Sequence, residues 1–246
     1  MKEKINTSEY YYKMRDALID YWEEMKAEFP DVDFSGTGFV IDRHGAVMKA
    51  FYNLIKGNNQ KMRSTRNFVD HMFNMFLPEH TMTTQFLGFH QSGVVCQFVY
   101  LSTELLVEFM YMVGLENFDV CLRRMKICLR HEMGHCIDTN NYIIKAKGDI
   151  DKAYEMYMKD CKQQDAEYKA VDDEFKDVGF TREKCQKYHS TILESSANAA
   201  VGLTWEDIWN AEEEFYRIAR AKRYKYKVKG LKYEQKTEKE TVEEKV

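Results

Sequence analysis

The five residues His131-Glu132-Met133-Gly134-His135 constrain this chain more tightly than any other segment. Two imidazoles four positions apart meet on one side only if the backbone is helical, because such residues are neighbours on a helix face. So placed, both can reach a single Zn²⁺ at about 2.0–2.1 Å, leaving further positions for a third ligand and water. Glu132 lies about 100° around the helix from His131, beside the open position, where it can take a proton from water. The flanking residues supply the helix: Phe118, Cys121, Leu122, Met125, Cys128, Leu129 and Cys136 recur at spacings of three and four. On a helical wheel Glu132 falls inside this apolar stripe, His135 and His131 lie toward its edge, and Arg123, Lys126 and Arg130 lie opposite. A carboxylate aimed into a core is costly unless something compensates it, and a cation beside it does so. Chance places H-E-x-x-H in roughly two chains in a hundred of this composition.

Zinc requires a third protein ligand. In the arrangement H-E-x-x-H-x-x-G-x-x-H it is a later histidine, but here those positions hold Asp138 and Asn141, which excludes that class. Glu194, in Leu193-Glu-Ser-Ser-Ala-Asn198, is the preferred candidate, on a later helix. Asn198 shares its face one turn on and is placed to orient a ligand histidine. The small residues Ser195, Ser196, Ala197, Ala199 and Ala200 allow this helix to approach another closely. His189 and Asp138 are the alternative ligands, and His189 or Tyr188 could instead donate a hydrogen bond to a reacting carbonyl oxygen.

His131-Glu-x-Gly-His135 followed by Glu194-x-x-Ala-Asn198 resembles the gluzincin metallopeptidases, in particular the ImmA/IrrE-like group with its H-E-x-G-H and E-x-x-A-N motifs. The resemblance covers roughly residues 85–203. It implies zinc bound by His131, His135 and Glu194, with Glu132 as the base. It also implies that Val99-Tyr-Leu-Ser-Thr-Glu-Leu-Leu106 is the strand-then-helix entry seen before the active helix of minimal zincins, where an edge strand pairs with extended substrate. The charged insertion over 150–176 is longer than that group leads one to expect. SprT-like proteases are a weaker comparison, since they use a third histidine and often a zinc ribbon.

The remaining sequence predicts an α+β, mainly helical fold: a zincin-like core with a small antiparallel sheet packed on the active-site helix. Hydrophobic residues make up 44% of the chain and Pro30 and Pro78 are its only prolines, which favours long helices. Three parts are expected: residues 1–82 as helices wrapping the core, 83–223 as the catalytic core, and 224–246 as a disordered Lys/Glu-rich tail. Helices are predicted over 8–28 with Thr7 or Ser8 as N-cap, 46–56, 64–76, 103–112, 116–137, 150–176 and 181–202, with a last helix opened by a Thr204/Asp207 capping box. Asp31 to Gly38 reads as a loop. Residues 85–90 and 94–101 read as a hairpin turning at Gln91-Ser92-Gly93, and Val94–Leu101 as the edge strand that holds substrate.

A net charge of −4 argues against a general polyanion-binding protein. The basic stretch from Arg217 to Lys229 reads first as a solvated helix end. The six cysteines form no C-x-x-C pair, so a cysteine ribbon is not expected and reduced thiols are. With no stretch of eighteen apolar residues, the sequence predicts a cytoplasmic zinc peptidase acting on a peptide or protein substrate, without a membrane partner, and nucleic-acid binding through the basic stretch over 217–232 is kept only as an alternative. A non-catalytic zinc-binding interaction or regulatory protein is the alternative.

Overall fold

The computed structural model describes residues 7–42, 82–176, 178 and 181–222. The predicted helices over 46–56 and 64–76, and the tail from Tyr224, lie outside them. The fold is α+β and mainly helical, as predicted. The order is α1 (Thr7–Glu28), β1 (Thr37–Asp42), β2 (Thr83–Phe89), β3 (Val95–Ser102), α2 (Thr103–Val113), α3 (Phe118–Lys145), α4 (Ile150–Glu174), α5 (Arg182–His189) and α6 (Ile192–Ala200), then α7 over 205–222.

The three strands run in the order β1-β3-β2. β2 and β3 form the predicted antiparallel hairpin, but β1 pairs parallel with β3 from Thr37↔Gln97 to Asp42↔Ser102, so the sheet is mixed. Two expectations are thereby corrected. Part of the segment read as a loop is a strand, because the Phe39-Val40-Ile41 run fits a half-buried pleat. β3 is the middle strand, with both backbone edges paired, so Val94–Leu101 is not the substrate-holding edge. Its burial agrees, for Val95, Val99, Tyr100 and Leu101 are all buried. On β2 a register shift falls between Phe86 and Gly88, where φ of +141° suits a residue without Cβ.

One core joins nearly every element. Met14, Leu18, Trp22 and Met25 of α1 meet Leu106 and Met110 of α2, Met125, Leu129 and Met133 of α3, and Phe215 of α7. The N-terminal helix is thus part of the same core as the motif helix, and β1 belongs to the sheet of the 83–223 region.

The helix ends follow local chemistry. Ser102 caps α2 by accepting from the Leu105 N–H, and Gly114 closes it. Thr204 and Asp207 form the predicted reciprocal cap, with Thr204 N–H donating to Asp207 Oδ2 at 3.0 Å and Asp207 N–H to Thr204 Oγ1 at 3.2 Å. The motif helix extends to Lys145, well past the predicted end at Ile137. The helix predicted over 181–202 is two helices. Ser190 Oγ and Thr191 Oγ1 donate to the carbonyls of Lys187 and Tyr188, which ends α5, and Thr191 turns extended at ψ 161° before α6 begins. Among the described residues no helix is long and apolar enough to cross a membrane.

Candidate metal centre

The site forms where α3 crosses α6. Gly134 is required at the crossing, because a Cβ there would lie 2.0 Å from the carbonyl oxygen of Ala197. Two helices this close need a residue with no side chain on one and a small one on the other, as the run of small residues around Ala197 predicts. The approach sets His131 and His135 opposite Glu194.

The three side chains converge. His131 Nε2 lies 2.8 Å from Glu194 Oε2, His135 Nε2 lies 3.6 Å from Glu194 Oε1, and the two Nε2 atoms are 3.2 Å apart. The Asn198 side chain fixes the first imidazole, its Oδ1 lying 2.7 Å from His131 Nδ1. An amide oxygen can only accept, so Nδ1 carries a proton and the ring is held with Nε2 toward Glu194. Glu194 Oε2 is buried, with His131 Nε2 as its partner at 2.8 Å. Two imidazole nitrogens and a carboxylate facing one another are a donor set that could hold a divalent cation.

Electrostatics carry the same signature. Burial opposes protonation of His131, but the bond and charge of Glu194 outweigh it and lift its pKa to about 9 in the cation-free protein. Burial raises the Glu194 carboxyl, yet the two histidines overcome it and hold the group well below the ordinary carboxylate range. His135 is the outermost of the three, with 21% of its side chain exposed against 10% for His131 and 6% for Glu194, so the cluster opens on the His135 side.

Glu132 is buried, as its place in the apolar stripe predicts. Its partner is Thr84 of β2, whose hydroxyl lies 2.7 Å from Glu132 Oε2 and 3.1 Å from the Glu132 carbonyl oxygen. That contact ties the sheet to the motif helix and was not legible in the sequence. It also makes β2, rather than β3, the strand beside the site.

His189 reaches the cluster from the end of α5. Its ring is 5.2 Å from that of His131, and His131, His189 and Glu194 each bring a ligand atom within 4.8 Å of the others. His189 Nδ1 is buried without a partner, and burial together with His131 pushes the His189 pKa down to about 4, so the ring is neutral. Asp138 is buried, and neither it nor His135 belongs to that mutually close group. Tyr188 is stacked on Tyr168 at 4.9 Å with its hydroxyl 3.1 Å from the Tyr168 hydroxyl, which occupies it away from any reacting carbonyl.

Tyr168 is the second residue that sequence reading missed. It lies on the charged helix α4 and its hydroxyl donates to Glu194 Oε1. Gln164 and Glu167, four positions and one position before it on that helix, accept from the Leu193 and Ile192 N–H groups at 2.9 and 2.6 Å. They cap α6 in place of its own Thr191, which instead accepts from Gln164 Nε2 at 2.8 Å.

All six cysteines are free, and burial pushes the Cys121 and Cys185 thiols up to about 12, far from thiolate ligands. Comparison with family models, with curated proteins and with solved structures returns no match to this chain.

Proposed function

We propose that the protein is a zinc-dependent metallopeptidase, with His131, His135 and Glu194 as ligands and Glu132 as general base. The observation that carries the reading is the convergence of two imidazole nitrogens and the buried Glu194 carboxylate, with the buried Glu132 carboxylate one helical position from His131. Zinc, when bound, supplies Lewis-acid polarisation of a carbonyl and acidifies water. Asn198 holds the His131 ring in the tautomer that frees Nε2. Glu132 accepts a proton from the attacking water and passes it to the leaving amine, while Thr84 fixes one of its oxygens. His189, a neutral ring beside His131, is the group placed to donate to the developing oxyanion. Extended peptide would lie along β2, the one of the sheet's two outer strands among the described residues whose Thr84 meets Glu132. Six free thiols fit a cytoplasmic setting. The test is Glu132→Gln: it should retain one zinc per chain and lose hydrolysis of a casein or peptide-library substrate, and full activity in that variant would remove the base role.

A second reading is favoured by the closeness of His189. As a fourth ligand it would close the coordination shell and leave a non-catalytic zinc protein. Under that reading His189→Ala weakens zinc binding; under the peptidase reading it leaves zinc binding intact and slows hydrolysis.

A further inference from the structure

The helix α4 reads from sequence as a charged insertion, yet one of its faces is spent on the candidate metal centre. Gln164, Glu167 and Tyr168 sit at positions i, i+3 and i+4, so they share a side. The first two take up the orphan amides at the start of α6, which fixes where Glu194 stands. Tyr168 then bonds one oxygen of Glu194 while the other faces His131. Its single proton is claimed by the carboxylate, so Tyr188 supplies the proton between the two phenols, and their 3° stacking locks the rings. Farther back on α4, Tyr157 packs on Phe86 of β2 at 4.4 Å, and Tyr142 of α3 donates to Asp160 at 2.7 Å. The helix is therefore anchored to both the sheet and the motif helix.

We infer that Tyr168 is a positioning residue that confines Glu194 to coordination through one oxygen, so that the metal keeps a position free for water. The inference rests on the metal site proposed above. A carboxylate with two unoccupied oxygens beside a cation can chelate it through both. A hydroxyl bound to one of them holds the carboxylate turned and leaves the other as the single donor. The α4 face supplies that hydroxyl from a rigid element rather than from a loop.

The experiment is Co²⁺ titration of the full-length metal-free protein, followed by its visible d–d absorption, for wild type and Tyr168→Phe. Wild type should bind one Co²⁺ with the strong absorption of a four-coordinate site. Tyr168→Phe, with unchanged circular dichroism, should bind about tenfold more weakly and show the weaker absorption of a five-coordinate ion. The same spectrum and affinity in both proteins would overturn the role of Tyr168 and leave the metal site standing. Wild type that binds no Co²⁺ would overturn the metal site itself, and the Tyr168 role with it. Zinc X-ray absorption of the loaded wild type is an independent check that needs no variant: a single Glu194 oxygen in the shell is expected, and two would overturn the inference.

Discussion

The motif helix α3 carries two buried ionic groups, and they are built on opposite principles. Near its start, Arg124 pairs with Glu212 of α7 at 2.9 Å and lies against the rings of Phe109, Phe215 and Tyr216 at 4.7, 4.6 and 5.7 Å. Positive and negative charge are matched and the guanidinium face is covered by aromatic surface. Two turns on, Glu194 faces two imidazole nitrogens, and Glu132 adds a second carboxylate. Among the described residues Glu194 has no Lys or Arg partner. A buried pair of permanent opposite charges is a structural device; a carboxylate set against imidazoles that can release a proton could exchange that proton for a cation.

Breaking the second group should have the largest consequence. Glu132→Gln should lower peptide hydrolysis by about 10²–10⁴-fold with metal content unchanged, measured by turnover beside metal analysis. Next, Gly134→Ala forces a Cβ into Ala197 and pushes α6 away; the protein should still fold but lose more than about 90% of its bound zinc at equal loading. Asn198→Ala should weaken zinc about 10–100-fold by releasing the His131 ring, read by competition with a chromogenic chelator. Breaking the first group should do the reverse. Arg124→Ala should cost about 3–5 kcal/mol of unfolding free energy in denaturant titration, because Glu212 is left unpaired, with zinc affinity unaltered in the fraction that remains folded.

The smallest effect concerns pH. In the cation-free protein the raised pKa of His131 stabilises the fold below its ordinary value of about 6.5, and that contribution is lost as pH rises through about 9. Zinc must displace the same proton, so its affinity should climb with pH and level off above about 9. Calorimetric titration in two buffers of different ionisation enthalpy should register about one proton released per zinc near neutral pH. Arg124 offers no such titration in that range.

How far the sequence reaches follows from the range of the contacts. The motif helix, Glu194 and Asn198 were legible because each rests on spacing within one helix, and Gly134 and Ala197 because small residues mark a close crossing. Thr84, Gln164, Glu167 and Tyr168 were not, since each acts across the fold on a partner far along the chain. The break at Ser190-Thr191 carried a local signal, two hydroxyl residues ahead of Ile192-Leu193-Glu194, that a continuous apolar pattern concealed. β1 was hidden by its length: three apolar residues beside Gly36 and Gly38 do not announce a strand until β3 is there to pair with it.

Metal analysis of the purified full-length protein beside Glu194→Ala tests the central claim most directly. About one zinc per wild-type chain and less than about a tenth of that in the variant is the predicted result. A wild-type protein without bound transition metal after zinc loading, or a variant that holds zinc as tightly, would contradict it.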